Sequence, residues 1–369
     1  MKAMKKRVVV LGAGKIGSTI ADLLAGCGDY EVVVADASET ALQRIETTAP
    51  VTRRQVSVED EPALLDLLAG TFAVVSAAPH DVTARIASAA RQADAHYLDL
   101  TEDVASTQIV KGLAEGAATA FIPQCGLAPG FISIVAHDLI TRFDSLLDVK
   151  MGVGALPQFP SNALNYNLTW STDGLINEYC QPCEAIVGGV LRQIQPLEDL
   201  EQFALDGVVY EAFNTSGGLG TLGDTLAGRV RNLSYRTIRY PGHAAIMKAL
   251  LHDLRLCERR EVLKDILENA LPATYQDVVI VYASVSGARG GRLEQETFAQ
   301  KIYAGRLQGR LRSAIQITTA SAICAVLDLL AQGALPQHGF VRQEQIALDA
   351  FLANRFGRAF APTTARAAA

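Results

Sequence analysis

The chain has 369 residues, 49% of them hydrophobic and 20% charged, with a net charge of −6 and a pI near 5.6. That is enough apolar material for a buried core spread over about two domains. The acidic balance offers no basic surface for nucleic acid or for an anionic membrane, so neither is expected as a partner.

The first residues, MKAMKK, are basic, but the apolar run behind them feeds a glycine turn and lacks the apolar core and cleavage site of a signal peptide. A cytoplasmic location is therefore expected. In that reducing compartment the scattered Cys27, Cys125, Cys180, Cys183, Cys257 and Cys324 are expected as free thiols. Cys180 and Cys183 form one C-x-x-C with no second pair or nearby His, so it reads as incidental and no metal site is expected.

Residues 8–11 read as a buried parallel strand. The next six, Gly12-Ala13-Gly14-Lys15-Ile16-Gly17, form a G-x-G-x-x-G. Gly12 allows the tight turn, Gly14 lets a pyrophosphate approach the backbone, and Gly17 lets strand and helix pack closely. A helix-period segment follows, with Ile16, Ile20, Leu23 and Leu24 on one face. Its N-terminus presents free N–H groups and a positive dipole end to a phosphate. Residues 32–35 are a second strand, ending on Asp36, about twenty residues past the glycines, where a carboxylate can accept bonds from a ribose 2′-OH. No Arg or Lys stands between residues 37 and 42 to receive a 2′-phosphate, so NAD is the expected cofactor rather than NADP. Glycine-rich first turns also occur in FAD and S-adenosylmethionine sites, but nothing else in the chain suggests flavin.

Strands and helices keep alternating. Helices are predicted at 40–47, 61–69, 82–93 and 104–117, and strands at 51–58, 72–77, 96–100 and 119–123. This is the pattern of a Rossmann-type doubly wound parallel sheet. The loops at 78–80, 99–103 and 124–130 leave the carboxyl ends of its strands, where such folds bind ligands. Ala78 and Pro79 are accordingly candidate cofactor contacts. After the turn at 124–130 a helix (131–141) leads out, and the pattern changes to that of a mixed α+β domain. Strand-like alternation begins at 147, strands are expected around 187–196, and a helix at 242–254. The run 278–286, a glycine turn at 287–291 and the run 293–303 read as an antiparallel hairpin. Residues 315–330 are apolar but contain Gln316, Thr318, Thr319, Ser321 and Asp328, so they read as a buried helix packing back on the first domain. The expected organisation is a nucleotide domain of residues 1–130 plus 315–369, with an inserted substrate and dimerisation domain at 131–314. The tail from 360 is expected to fray.

The motifs LGAGKIG, CGLAPG, NYNLTWSTDGLINEY (165–179), TSGG (215–218) and IRYPGH (238–243) occur in one order over nearly the whole length. In this the chain resembles the saccharopine dehydrogenase/reductase superfamily, most closely its lysine 6-dehydrogenase members. The resemblance implies NAD-dependent oxidation of an amino group on an amino acid. For those members this means hydride loss from Cε of L-lysine, followed by imine hydrolysis to a semialdehyde that cyclises to piperideine-6-carboxylate. Saccharopine-forming relatives tend to carry an acidic residue where this chain has Ala128, and the loop expected at Val153 likewise offers no functional group. Saccharopine- or carboxynorspermidine-forming reduction is the alternative activity, and a non-catalytic NAD-binding regulator a third. A homo-oligomer, a dimer, is expected.

Oxidising a C–N bond needs a base for the amine proton, water for the imine and donors for the carboxylate. His243 at a helix start is the first candidate base, with His80 and Asp99 as others. Thr101, with Asp99, can meet an ammonium or polarise water, while Glu102 and Asp103 read as helix-start acids. Cys125 is expected beside the nicotinamide. Trp170, Ser171 and Asn177 are expected in the substrate wall. Thr215, Ser216, Arg239 and Tyr240 are expected around the substrate carboxylate.

Overall fold

The computed structural model describes residues 5–361. In chain order the first domain contains β1 (Lys6–Leu11), α1 (Lys15–Cys27), β2 (Tyr30–Asp36), α2 (Glu39–Gln43), β3 (Thr52–Gln55), α3 (Glu61–Leu68), β4 (Ala73–Ser76), α4 (Thr83–Gln92), β5 (His96–Asp99), α5 (Val104–Ala114) and β6 (Ala120–Ile122). Then come α6 (Phe131–Ile140), β7 (Ser145–Pro157), α7 (Thr172–Cys180), β8 (Cys183–Val187), β9 (Val190–Ile194), β10 (Glu201–Leu205) and β11 (Val208–Asn214). They are followed by α8 (Leu222–Leu226), β12 (Asn232–Arg239), α9 (His243–Lys248), α10 (Arg260–Ala270), β13 (Asp277–Arg289) and β14 (Arg292–Tyr303). The chain returns through β15 (Gly305–Leu307), β16 (Arg310–Arg312), α11 (Ala314–Ala331), β17 (Gly339–Phe340) and α12 (Leu348–Ala353).

The first sheet runs β17-β6-β5-β4-β1-β2-β3 and is parallel throughout. Apart from the added β17, this is the strand order of a doubly wound nucleotide-binding sheet. Its central strands are apolar on both faces because helices cover both, and Val8, Val9, Val10, Val74 and Val75 are fully buried. The second sheet is mixed: β12 lies parallel to β7, β13 antiparallel to β7, and β8 and β9 hang from β12. The β13–β14 hairpin turns at Gly290 and Gly291, both at positive φ, as a two-residue turn between right-twisted strands requires.

Helix α11 is long and apolar enough to cross a membrane, yet it is buried along most of its length and packs on α1. Its N-terminus is fixed twice. Ser313 and Gln316 form a capping box, and the Asp277 carboxylate at the start of β13 accepts the N–H groups of Ala314 and Ile315 at 2.5 and 3.0 Å. The second sheet and the returning helix are thereby joined at one carboxylate.

Several boundaries differ from the sequence reading. The expected helix at 242–254 is an α-turn only to Lys248 and then a π-turn over Ala249–Asp253. The stretch at 187–196 is a tight β8–β9 hairpin, and Val153 lies inside β7 rather than in a loop. Strands β10 to β12 and helix α10 carry mixed polar patterns that apolar periodicity alone did not pick out. The expectation of six free thiols is corrected: Cys180 at the end of α7 is joined to Cys257, with Cα atoms 5.8 Å apart across 77 residues of chain. The tail from 362 lies outside the described residues. Titration of the denatured, unreduced protein with a chromogenic thiol reagent should count the four cysteines left free here, against all six after reduction. Six thiols without reductant would contradict the pairing.

Candidate active site

A cleft of about 650 Å³ runs between the two sheets. Its floor at one end is the glycine loop, with Gly14, Lys15, Ile16 and Gly17. A methyl added at Gly17 would lie 1.9 Å from the Gly12 carbonyl oxygen, and one at Gly12 would lie 2.6 Å from that of Ala77. Both glycines are thus required by packing, and Gly12 sits behind the cleft surface. Gly14 is different: a methyl there meets nothing within 4 Å, and no side chain caps the N-terminus of α1. Open space in front of free N–H groups is the shape a dinucleotide pyrophosphate needs. Asp36 is anchored on this loop. Its Oδ2 accepts the Ala13 N–H at 2.7 Å and its Oδ1 the Ser38 N–H at 2.8 Å. It stands beside the loop at the end of β2, not in the cleft wall itself.

The middle of the cleft is made by three loops from the carboxyl ends of β4, β5 and β6. They contribute Ala78, Pro79 and His80, then Leu100, Thr101 and Glu102, then Gly126, Leu127 and Ala128. Asp99 holds the last two loops together. Its Oδ1 accepts the N–H groups of Thr101 and Gln124 at 3.1 and 2.8 Å, Tyr97 donates to Oδ2 at 2.9 Å, and the Asp99 carbonyl accepts Cys125 N–H at 2.8 Å. Burial raises its pKa to about 6 against those donors. Asp99 is therefore a positioning residue behind the wall, and the direct substrate role expected of it does not fit. Cys125 is corrected for the same reason. It is fully buried, its thiol donates to the Ile122 carbonyl, and burial pushes its pKa upward, so it neither faces the cleft nor ionises readily.

The far end is formed by the start of α7 and the inner face of β12, with Thr169, Trp170, Ser171, Gly174, Glu178, Tyr235, Thr237 and Arg239. Ser171 caps α7, its Oγ accepting Gly174 N–H at 3.2 Å. The Trp170 ring lies on Gly174, where a methyl would fall 2.3 Å from a ring carbon and 3.2 Å from Glu102 Oε1. The bare first turn of α7 thus seats both the indole and a carboxylate. Glu178, one turn further along the same face, is 7% exposed and lines the cleft without a hydrogen-bond donor for its carboxylate among the described residues. Burial raises its pKa to about 8, with Arg239 opposing and Glu102 reinforcing the shift. Burial likewise raises Glu102. Glu102, expected as a helix-start acid, thus lines the cleft, and Glu178 joins it with no motif signal of its own in the sequence.

Arg239 is 2% exposed and lines the cleft. Its Nε donates to Tyr179 Oη at 3.0 Å and its Nη1 to the Ile238 carbonyl at 2.9 Å, and the guanidinium lies 5.1 Å from the centre of the Tyr166 ring. His243 stands behind this arrangement. Its Nδ1 is 2.9 Å from the Leu164 carbonyl, so that nitrogen carries the proton, and Nε2 accepts from Tyr179 Oη at 3.1 Å. Tyr179 then accepts from Arg239. Burial first, and the Arg239 charge second, lower the His243 pKa to about 3. The ring is neutral as expected, but it is wholly buried and outside the cleft, so the role of base does not fit it. The N-terminus of α9 is taken up by Glu211, whose carboxylate accepts Gly242 and Ala244 N–H at 2.9 and 2.6 Å.

Four further candidates lie outside this cleft. Tyr240 donates to the Pro157 carbonyl at 2.9 Å, Thr215 Oγ1 pairs with Thr237 Oγ1 at 2.8 Å, and Ser216 donates to the Pro182 carbonyl at 3.0 Å. Asn177 is buried on another face of α7. The first three side chains bond to the protein's own backbone and core, and none of the four lines the cleft, so the substrate contact expected of them is corrected.

The fold and cleft define a two-domain α/β protein with a Rossmann-type half and a mixed-sheet half meeting over one glycine loop. Two family profiles match it: the saccharopine dehydrogenase NADP binding domain over residues 8–120 and the saccharopine dehydrogenase C-terminal domain over residues 126–357. The chain belongs to the saccharopine dehydrogenase family. It is 22% identical over 301 residues to the mitochondrial alpha-aminoadipic semialdehyde synthase of Rattus norvegicus, covering 76% of this chain and 32% of that protein. It is 26% identical over 186 residues to saccharopine dehydrogenase [NADP(+), L-glutamate-forming] of Saccharomyces cerevisiae, covering 47% of this chain and 40% of that protein. The chain thus spans about a third of the length of the curated relatives it matches. The solved apo structure of the Saccharomyces cerevisiae saccharopine dehydrogenase (L-Glu forming) superposes with a TM-score of 0.77 at 17% identity, covering 92% of this chain and 94% of that one.

The buried neutral His243 makes stability depend on pH. In the unfolded chain the ring protonates below about 6.5, whereas in the fold it does so only near pH 3. Between those values the unfolded state binds more protons, so this contribution to stability is complete above pH 6.5 and is lost as the pH falls. The stability advantage of the unmodified protein over His243→Gln should therefore shrink below pH 6.5, by up to about 1.4 kcal/mol per unit. Urea unfolding at pH 7 and pH 5 measures this, and an equal advantage at both would contradict a neutral buried ring.

Proposed function

We propose that this chain is an NAD-dependent oxidoreductase that removes hydride from Cε of L-lysine, giving an imine that water converts to the semialdehyde and ammonium. The observation supporting this substrate is the charge set at the far end of the cleft. One buried cation, Arg239, acts on the buried Glu178, whose carboxylate has no hydrogen-bond donor among the described residues; Glu102, whose carboxylate accepts from its own backbone N–H, lines the same cleft, and Asp173 and Glu268 are further acids of its lining. Asp173 is already paired with Lys264 at 2.7 Å. Lysine brings one carboxylate and two ammonium groups, which complements that set. A saccharopine carries three carboxylates, and at this end only one guanidinium is available to them.

Each residue then has a stated task. The free N–H groups at the start of α1 and the open space over Gly14 hold the dinucleotide pyrophosphate, and Asp36 accepts from the adenine ribose. The nicotinamide, when bound, supplies a hydride acceptor. Arg239, oriented by Tyr179 and His243, binds the substrate carboxylate with a fixed fork. The Trp170 ring covers the aliphatic chain, and the two glutamates draw the ammonium groups. His80 lines the middle of the cleft, near the loops that frame the reacting atoms.

A saccharopine-type activity is the second reading. What favours it is the similarity to relatives that include a saccharopine dehydrogenase and an alpha-aminoadipic semialdehyde synthase. One experiment separates the two. With NAD and lysine labelled with 15N at the ε position, the lysine reading expects labelled ammonium and one NADH per ammonium. Loss of the α-nitrogen would sink it, and a requirement for 2-oxoglutarate in the reverse direction would move the protein to the saccharopine reading. For the cofactor, Asp36→Ala is expected to weaken NAD and to narrow the preference over NADP, read as the ratio of kcat/KM values. Equal use of both cofactors by the unmodified protein would contradict the role given to Asp36.

A further inference from the structure

Within this reading of the substrate, charge matching sets Glu178 beside an ammonium group without giving it a part in the reaction. We infer that Glu178 is the general base that takes the proton from the substrate ammonium, with Glu102 as its partner carboxylate in the same cleft. Gly174 and Glu178 are one turn apart on α7, so they share a face. Glu102 Oε1 lies 3.2 Å from the point where a Gly174 side chain would begin. A carboxylate from the first domain therefore hangs over one turn of α7, and the carboxylate of Glu178 stands over the next. The absence of a side chain at position 174 makes room for this, together with the Trp170 ring.

Partners come next. A carboxylate more than nine-tenths buried normally has donors. The Glu178 carbonyl accepts Ser216 N–H at 3.0 Å, and its side chain has no donor among the described residues. A buried acceptor facing a cleft and lacking a donor fits a ligand that supplies one. An alkylammonium is such a donor, and it is also the group whose proton must leave before hydride can.

The surroundings tune this acid rather than silence it. Arg239 on β12 favours its charged form, and Glu102 on the loop after β5 disfavours it. Tyr166, Tyr179, Tyr235 and Cys183 also face it, and burial raises the pKa of each, so they stay neutral around neutral pH. The balance leaves Glu178 titrating at about 8, in the range a base for an amine needs. Arg239 forms no ion pair with either glutamate among the described residues, so its charge biases the site without occupying the acid.

The steps balance. The ammonium N–H bond breaks and its proton goes to the Glu178 carboxylate. The nitrogen lone pair forms the C=N bond as the Cε–H bond breaks, its hydrogen leaving with the electron pair to the nicotinamide. Water oxygen then bonds to that carbon, its proton passing through the Glu102 carboxylate to nitrogen. The C–N bond then breaks with its electrons on nitrogen while the remaining O–H bond breaks, its electrons forming the C=O bond and its proton passing through the same carboxylate to the departing nitrogen, which leaves as ammonium. The net products are the semialdehyde, NADH, ammonium and the one proton that Glu178 returns to solvent.

The test uses Glu178→Gln, Glu178→Asp and Glu102→Gln in the full chain, with NADH binding by fluorescence as the control for folding. The unmodified protein should oxidise L-lysine with kcat/KM rising through an ionisation near pH 8. Glu178→Gln should lose about 10²–10⁴-fold in kcat/KM and lose that ionisation, while binding NADH within about threefold of normal. Glu178→Asp should recover part of the rate, because it restores a base. Glu102→Gln removes the neighbouring negative charge, so the ionisation should move to lower pH, and this arm stands even if Glu178→Gln does not fold. A Glu178→Gln enzyme within tenfold of normal and with an unchanged pH profile would overturn the inference while leaving the lysine reading intact. So would a Glu102→Gln profile that does not move. No oxidation of L-lysine by the unmodified protein would overturn the substrate reading and the base together.

Discussion

The site depends on one buried carboxylate that never touches it. Asp99 ends β5, and its Oδ1 accepts one N–H from the loop that leads to Glu102 and another from the turn that leads to Ala128. Tyr97 donates to its other oxygen. Two of the three loops in the middle of the cleft are thus set by a single residue, whose backbone carbonyl also fixes Cys125. Removing it would strand buried N–H groups, each at a cost of about 1–3 kcal/mol. The same logic recurs twice. Asp277 joins the second sheet to α11, and Glu211 anchors the turn before α9 with two N–H groups. In each case an acid buried behind the surface positions backbone, and the groups that face the cleft are free for a ligand.

The substrate end follows from a second chain of constraint. The Leu164 carbonyl can only accept, so His243 donates to it. His243 must then accept from Tyr179, and the Tyr179 oxygen is left to accept from Arg239. This fixes the guanidinium in a buried position where water competes poorly for it. Glu178 lines the cleft within reach of its charge, and Glu102 and the Trp170 indole both come down on the first turn of α7 at Gly174. Ala128 and Val153 also line this cleft and bring no titratable group. The chemistry is therefore concentrated in few side chains, and the rest of the wall is shape.

Much of the first domain was legible because its signals are local. A glycine at position 12 or 17 answers to backbone packing that any such turn requires, and β–α alternation repeats every few residues. The site was less legible. His243 and Asp99 lie in or beside conspicuous motifs, but a motif does not say on which side of a wall a side chain emerges. Both proved to be one layer back. Glu178 sits inside WSTDGLINEY, yet its exposure to the cleft depends on the phase of α7 and on Gly174 leaving room for Glu102. That is a long-range fact with no sequence period. The Cys180–Cys257 bond is hidden for the same reason, since 77 residues separate its ends.

The central claim is that one guanidinium and two glutamates select a substrate with one carboxylate and two ammonium groups. Trp170 is the single tryptophan of the chain and lines this cleft, so its emission reports occupancy directly. The measurement is titration of the NADH-loaded protein with L-lysine and with saccharopine, following that emission. The account predicts a saturable change with lysine at concentrations at least tenfold lower than with saccharopine, a difference of about 1.4 kcal/mol. Tighter binding of saccharopine, or no response to lysine, would contradict it.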